Sequence, residues 1–247
     1  MAAIQSYVQQ AIPVIRQYLQ STILAVLPPH CGLCQQTHPR PTFICDVCID
    51  ALPLNSQACR CCAEPLKQRG TCVRCKHQKP PYSRAIAPFL MSGGMQQLIH
   101  QWKFEGKTQL STTLASLLIK RLVSDQQPEY LIPVASHWRR RWARGFDQTW
   151  LLSNNLSHLT GIKTLPALKR ARFGERQHQL SRQGRDNNMR SGFVTSRRFN
   201  GEHVALIDDV ITTGATVNAA THALRRAGAG SIEVWCLART PAPALKP

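Results

Sequence analysis

Two adjacent acids followed by a small, hydroxyl-rich loop form the most chemically specific pattern in the chain. The segment from His203 to Thr216 reads HVALIDDVITTGAT. Its apolar run predicts a strand that carries Asp208 and Asp209 at its carboxyl end, where open α/β sheets bind ligands. Small residues at the following helix start let a phosphate approach the backbone N–H groups, and the two acids then suit sugar hydroxyls. The predicted phosphate-binding residues are Thr212, Thr213, Gly214, Ala215 and Thr216.

Cysteines form the second pattern. Nine of the ten lie between Cys31 and Cys75, and eight of these form four Cys-x-x-Cys pairs. Two such pairs can complete a tetrahedral thiolate shell around one Zn²⁺. Because a closed shell leaves no position for a reacting water, we predict two structural zinc sites. The eight predicted ligands are Cys31, Cys34, Cys45, Cys48, Cys59, Cys62, Cys72 and Cys75.

The spacing leaves the pairing of these cysteines open. Sequential sets are the simplest arrangement, interleaved sets have the same signature, and His30, His38 or His77 could replace a sulfur. One zinc site with loose thiols, disulfides and an iron–sulfur cluster are the alternatives to two zinc sites. Residues 1–27 lack the basic start and long apolar core of a secretory signal, and no apolar run reaches the ~18 residues that span a bilayer. We therefore expect a cytoplasmic protein, in which repeated Cys-x-x-Cys favours metal.

Positive charge is concentrated in one part of the chain. The 247 residues include 31 Lys and Arg against 13 Asp and Glu, a formal charge of +18. Between Ala135 and Asn200 there are fourteen Lys and Arg against three acids, an excess of eleven. A hydrophobic content of 43% argues against wholesale disorder. The excess predicts a polyanionic ligand, which charge alone cannot identify as nucleic acid, phosphorylated metabolite or membrane surface.

Prolines and periodicity divide the chain into three parts. We predict an amphipathic helical segment at 1–27, a double zinc ribbon at 28–81 and a larger domain at 82–247. In the larger domain, strands alternating with helices predict an α/β fold with a mostly parallel sheet. The predicted strands are Ala85–Met91, Tyr130–Val134, Leu165–Lys169, Val204–Ile207 and Ile232–Leu237. The predicted helices are Gly94–Phe104, Gln109–Val123, Gln148–Leu159 and Thr216–Ala227.

Taken together, these motifs resemble a known family. Val204–Thr216 looks like the signature with which type I phosphoribosyltransferases bind phosphoribosyl pyrophosphate. The double cysteine ribbon, the motif Leu98-Ile-x-x-Trp-Lys-Phe-x-Gly and the motif Arg144-Gly-Phe-Asp-Gln resemble the ComF/GntX family. This resemblance covers roughly residues 28–240 and implies a type I phosphoribosyltransferase-like parallel sheet with helices on both faces.

The resemblance also implies roles for individual residues. Asp208 and Asp209, the candidate catalytic residues, would bind the ribose 2′- and 3′-hydroxyls, and the loop from Thr212 to Thr216 would bind the 5′-phosphate. Pyrophosphate would lie against the loop after Val134, and Mg²⁺ would arrive with it if the protein is catalytic. In that loop Asp147 stands where the family usually has Asn. The candidate pyrophosphate-binding residues are Arg139, Arg140 and Arg141.

Two functions follow from the resemblance. One is a phosphoribosyltransferase of nucleotide salvage with an unknown acceptor. The other is a role in natural transformation, with a phosphoribosyl-type pocket and binding of single-stranded DNA, beside DNA-uptake or recombination proteins. Aromatic residues among the arginines could stack on bases, although Trp150 is expected in the core. The candidate nucleic-acid residues are Arg139, Arg140, Arg141, Arg144, Arg170 and Arg172.

Overall fold

A computed structural model of the chain describes residues 28–40, 42–122, 126–136, 145–171 and 192–242. The predicted amphipathic helical segment at 1–27 lies outside these ranges. The chain divides into two compact units, Met1–Ala51 and Leu52–Pro247. The second unit therefore contains both the predicted phosphate loop and the last four predicted zinc ligands, which we call the second cysteine set: Cys59, Cys62, Cys72 and Cys75.

The described residues form six helices and eight strands. The helices are α1 (Asp46–Asp50), α2 (Val73–His77), α3 (Gly93–Phe104), α4 (Leu110–Ile119), α5 (Gln148–Thr160) and α6 (Ala215–Arg226). The strands are β1 (Arg84–Ile86), β2 (Phe89–Leu90), β3 (Tyr130–Pro133), β4 (Lys163–Thr164), β5 (Leu168–Arg170), β6 (Phe193–Thr195), β7 (His203–Ile211) and β8 (Ser231–Arg239).

Two long strands form the centre of a parallel sheet. The order of strands is β1-β8-β7-β3-β4, and β2 extends the pairing of β1 along β8. All of these pairings are parallel, so the predicted parallel sheet is confirmed. Nearly continuous burial of β7 and β8 is what parallel strands covered by helices on both faces require.

Strand β7 is longer than its apolar run predicts. It continues from Ile207 through Asp208 and Asp209 to Ile211, and Asp208 pairs in register with Cys236 of β8. The adjacent strand β3 ends where Pro133 pairs with Ile207. The ends of both strands therefore lie at the same edge of the sheet, next to the two acids.

Helix α3 packs against the rest of the larger unit through one apolar face. Met95, Leu98, Ile99 and Trp102 are all buried, at the i, i+3, i+4, i+7 spacing of an amphipathic helix. The helix begins one residue earlier than predicted, at Gly93, and ends as predicted at Phe104. Its buried face fixes the position of Lys103 in the last turn.

A separate antiparallel hairpin follows β4. Strand β5 pairs with β6, with Leu168 opposite Thr195 and Arg170 opposite Phe193. Of the predicted strand Leu165–Lys169, only Leu168 and Lys169 lie in a strand, β5, and the preceding strand β4 ends at Thr164, before Pro166. Proline cannot donate to a strand ladder, so it interrupts the run.

Candidate functional site

The first cysteine set gathers Cys31, Cys34, Cys45 and Cys48, whose sulfurs lie within 4.8 Å of one another. The Sγ atoms of Cys34 and Cys45 are 3.8 Å apart, which matches the ~3.8 Å edge of a tetrahedron with Zn–S bonds of about 2.3 Å. The backbone N–H groups of Leu33 and Cys45 each donate to Cys31 Sγ at 3.4 Å. Burial raises the pKa of Cys31, but such N–H donors outweigh it and lower that pKa to about 6.

The second set repeats this geometry in the larger unit. Cys59, Cys62, Cys72 and Cys75 also bring their sulfurs within 4.8 Å of one another, and the Sγ atoms of Cys62 and Cys72 are 3.7 Å apart. The N–H of Cys72 donates to Cys59 Sγ at 3.3 Å. Burial raises the pKa of Cys59, yet N–H donors lower it to about 7 overall. Thiolates stabilised in this way are the form that binds metal.

Both sets follow the sequential arrangement of the Cys-x-x-Cys pairs. Each consists of cysteines alone among the described residues, so His30, His38 and His77 belong to neither set. Four converging sulfurs leave a closed tetrahedral shell, which suits structural zinc and gives no open position for a reacting water. The two zinc centres therefore organise the fold.

The two acids lie at the carboxyl half of β7. Asp208 is buried, with 9% of its surface exposed, and its Oδ1 accepts a hydrogen bond of 2.9 Å from the N–H of Asp209. Burial raises the pKa of Asp208 to about 7, and the neighbouring charge of Asp209 adds to this increase. The charges of Lys103 and Arg170 act in the opposite direction.

Lys103 is a site residue that sequence reasoning missed. Its Nζ lies 2.5 Å from Oδ2 of Asp209. The signal that could have found it is the motif Trp102-Lys103-Phe104, in which a lysine directly follows a tryptophan that the helical pattern buries. The contact joins distant parts of the chain, which no local pattern predicts.

The loop after β7 leads directly into α6. Gly214 is the N-cap of that helix, with a φ of +85° that favours glycine, and its carbonyl accepts from the N–H of Asn218 at 2.9 Å. The hydroxyl of Thr213 accepts from the N–H of Ala215 at 3.3 Å. Thr212, Thr213 and Thr216 are exposed. The arrangement is a solvent-facing helix start of the kind that binds phosphate.

Two arginines donate hydrogen bonds to the carbonyls of this loop. Buried Arg239 donates to the carbonyls of Ile211 and Thr212, and Arg74 donates to the carbonyl of Thr213 at 3.3 Å. In a trans peptide the N–H points opposite to the carbonyl, and the described residues contain no cis bond. The N–H groups of Thr212, Thr213 and Gly214 therefore point away from the two arginines.

Both arginines connect the loop to the second cysteine set. Arg74 also donates to Cys62 Sγ at 3.8 Å, and Arg239 forms an ion pair with Glu64, which is buried. Glu64 in turn accepts from the N–H of Ala242 at 2.8 Å. The second cysteine set is thus connected to the predicted phosphate loop by hydrogen bonds.

The segment after β3 starts beside the acids. The N–H of Val134 donates to the carbonyl of Ile207 at 2.9 Å, one position before Asp208. Asp147 lies after this segment, and its Oδ1 accepts hydrogen bonds from Ser136 Oγ at 3.0 Å and from Thr149 Oγ1 at 2.8 Å. It also caps α5. Asp147 thus has a structural role that an acid performs well at a helix start.

Several predicted basic residues lie outside the described residues, namely Arg139, Arg140, Arg141, Arg144 and Arg172. Arg170 is described: its Nε donates to the carbonyl of Ala135 at 3.0 Å, and its guanidinium stacks 4.8 Å from the ring of Phe193. It therefore supports the start of the segment after β3. Trp150, expected in the core, is 38% exposed, because α5 buries Leu152 and Leu156 on its other side.

Comparison with known proteins identifies the family. Residues 22–76 match the double zinc ribbon domain, and residues 167–247 match the phosphoribosyl transferase domain. The DNA utilization protein YhgH of Escherichia coli (strain K12) is 32% identical over 226 residues, which cover 88% of this chain and all of that protein. The chain belongs to the ComF family. The resemblance given by the sequence motifs is therefore confirmed.

A second relative of this ComF-family chain is named for competence. Competence protein F of Haemophilus influenzae is 35% identical over 178 residues, covering 68% of this chain and 78% of that protein. Among solved structures, a purine phosphoribosyltransferase from Pyrococcus horikoshii is 19% identical with a TM-score of 0.33, over 56% of this chain and 75% of that one. Within the described residues, no helix combines the length and apolarity that crossing a membrane requires.

Proposed function

We propose that this ComF-family chain binds phosphoribosyl pyrophosphate, or a related phosphate, at the carboxyl edge of its sheet. The observation that carries the proposal is the placement of Asp208 and Asp209 directly before a helix start capped by Gly214. Carboxylates accept hydrogen bonds from hydroxyls, and N–H groups at a helix start bind phosphate. One ligand class combines both groups at adjacent positions, namely a ribose 5-phosphate.

Each part of the ligand has a counterpart in the site. Asp208 and Asp209 would accept the ribose 2′- and 3′-hydroxyls, and the N–H groups and hydroxyls from Thr212 to Thr216 would bind the 5′-phosphate. Arg139–Arg141 would bind pyrophosphate, because their segment starts beside the acids at Val134. Mg²⁺ would be bound chiefly by the substrate phosphates and would supply Lewis-acid assistance to the departure of pyrophosphate.

A role in DNA uptake is the function we favour for the whole chain, in the cytoplasm. Relatives named for DNA utilization and for competence support this proposal. The charge excess between Ala135 and Asn200 supports binding of a phosphate chain. Trp150, exposed in the first turn of α5, offers a ring face on which a base could stack. Single-stranded DNA is therefore the proposed larger ligand, with DNA-uptake or recombination proteins as partners.

An active phosphoribosyltransferase is the alternative. In that reaction the bond from ribose C1′ to pyrophosphate breaks, pyrophosphate leaves with the electron pair, and a nucleophile of the acceptor forms the new bond at C1′. Positive charge develops on the ribose ring, and the carboxylates of Asp208 and Asp209 would stabilise it. The adjacent acids favour this alternative as much as they favour binding alone. Release of pyrophosphate in the presence of candidate acceptors distinguishes the two.

The test of the proposed site uses a double variant that keeps side-chain shape. Zinc-replete protein should bind phosphoribosyl pyrophosphate with Mg²⁺, and Asp208→Asn combined with Asp209→Asn should weaken this binding by about a hundredfold, because each lost charged hydrogen bond removes roughly 1.5 kcal/mol. Asp50→Asn, an exposed acid in α1, is the matched control. Equal affinity of the double variant and the control would overturn the proposed site.

A further inference from the structure

Lys103 lies against the acid pair in a position that its own helix fixes. Its Nζ is 2.5 Å from Oδ2 of Asp209, and the two side chains are each 17% exposed. The turn that carries Lys103 also carries Trp102, which is 0% exposed. The ammonium group therefore approaches Asp209 from a helix that is anchored by its buried apolar face.

A contribution to folding stability is a poor explanation of the ion pair between Lys103 and Asp209. A partly buried ion pair gives up much of its Coulombic gain to the desolvation of both partners. An apolar pair of similar volume would pack in the same place at little or no cost. The distinctive consequence of Lys103 is the positive charge that it places beside two adjacent carboxylates.

Those carboxylates repel one another in the absence of a nearby cation. Asp208 is faced by Asp209 on its own strand, by Lys103 from α3, by Arg170 from β5 and by the buried thiol of Cys236 from β8. Burial and the charge of Asp209 raise the pKa of Asp208 to about 7, while Lys103 and Arg170 lower it. Lys103 contacts the pair directly, through Asp209.

We propose that Lys103 is a positioning residue of the phosphoribosyl site, which orients Asp209 and places a positive charge beside the acid pair so that both acids can accept the ribose hydroxyls. This inference rests on the proposed function. The ammonium occupies Oδ2 of Asp209 and leaves the other oxygen of that carboxylate for a ligand hydroxyl, since an ionised carboxylate has about four acceptor positions. Lys103 acts through Asp209 and needs no contact with the ligand.

The test begins without any ligand. Carboxyl ¹³C NMR of zinc-replete protein follows the titration of the acid pair in wild type, Lys103→Met, Lys103→Arg and Lys120→Met. Removing the ammonium should move the midpoint for the pair up by about one pH unit or more, since an opposite charge at this distance has that effect. The arginine variant should titrate like wild type, and so should the control at Lys120, an exposed residue after α4.

Binding of phosphoribosyl pyrophosphate provides the second readout. At pH about 7, Lys103→Met should bind about tenfold more weakly than wild type, and the difference should shrink as the pH rises and the acids ionise without help. A purely structural role would give a loss that does not depend on pH. Lys103→Gln replaces the methionine variant if the latter does not fold.

The outcomes separate this inference from the proposed function. If the titration midpoint of Lys103→Met coincides with that of wild type, the inference is overturned, whatever the ligand does. If wild type does not bind phosphoribosyl pyrophosphate, the proposed function and the ribose-binding role of Lys103 both fail, while the NMR titration still decides whether the charge of Lys103 acts on the acid pair. A shifted midpoint with pH-dependent loss of binding supports both.

Discussion

The burial of Asp208 destabilises the folded protein, as is common for acids at ligand-binding sites. The side chain is buried beside a second acid, and burial together with that neighbour raises its pKa to about 7 from an ordinary value of 3.8. A carboxyl whose pKa is raised in the folded state destabilises that state once the group ionises. Acids with a raised pKa are typical of binding and catalytic sites.

The raised pKa of Asp208 predicts how the stability of the protein depends on pH. Because the folded-state pKa of Asp208 lies above the unfolded one, the contribution of Asp208 to the free energy of unfolding should fall as the pH rises from about 4 to about 7 and then level off. Asp208→Asn should remove this decline and raise the free energy of unfolding at about pH 8 by as much as ~4 kcal/mol. Denaturant titrations of zinc-replete protein at several pH values measure the effect.

The result for Asp208 has a matched control. Asp50→Asn changes an exposed acid and should leave the pH dependence as in wild type. If Asp208→Asn retains the decline between pH about 4 and about 7, then Asp208 does not titrate in the raised range and the account of its burial is wrong.

At the scale of elements, the second zinc centre and the phosphate loop act as one structure. Arg74 contacts both Cys62 Sγ and the carbonyl of Thr213. Arg74→Met should therefore weaken binding of phosphoribosyl pyrophosphate by about fivefold, the effect of one hydrogen bond worth roughly 1 kcal/mol, with zinc content unchanged. Arg69→Met, at an exposed position in the same ribbon, is the control. Equal affinities for the two variants would contradict the coupling.

Zinc removal provides a stronger test of the same coupling. Cys72→Ser breaks the second set, which lies in the unit of the phosphate loop, and should abolish binding of phosphoribosyl pyrophosphate with loss of one of two zinc ions. Cys34→Ser breaks the first set and should lose one zinc ion while binding continues. Metal content by mass spectrometry accompanies each titration. Binding that survives in Cys72→Ser would contradict the prediction.

Local patterns predicted most of these elements because their physical causes are local. The apolar spacing in α3 and the capping Gly214 of α6 give helices within a residue of their observed starts. Pro166 was the missed signal that the predicted strand Leu165–Lys169 does not start until Leu168 of β5. The extension of β7 through its acids could not be predicted, because it depends on pairing with Cys236 and its neighbours in β8.

Part of the candidate site could also be predicted from the sequence. Asp208, Asp209 and the loop after them are contiguous, so their chemistry can be read from one segment. The contacts of Lys103, Arg74 and Arg239 with that segment come from other elements. Such contacts depend on how helices and strands pack, which no window of sequence contains.

For the whole molecule, the formal charge of +18 is the feature that the proposed phosphoribosyl site alone does not explain. Binding of single-stranded DNA should weaken steeply with salt, with a logarithmic slope of about 0.7 for each phosphate contacted. Fluorescence anisotropy of a labelled oligonucleotide across a salt series measures this slope. A slope near zero would show that the charge excess does not bind a phosphate chain.

Arg139, Arg140 and Arg141 are candidates for binding both pyrophosphate and single-stranded DNA, so we expect the two proposed ligands to compete. Calorimetric titration of one zinc-replete sample with both ligands tests this expectation most directly. Phosphoribosyl pyrophosphate with Mg²⁺ should bind once per chain. Protein saturated with it should then bind a single-stranded oligonucleotide about tenfold or more weakly than free protein does, a difference of roughly 1.4 kcal/mol. The absence of phosphoribosyl pyrophosphate binding, or undiminished oligonucleotide affinity after saturation, would contradict a common site at the edge that carries Asp208 and Asp209.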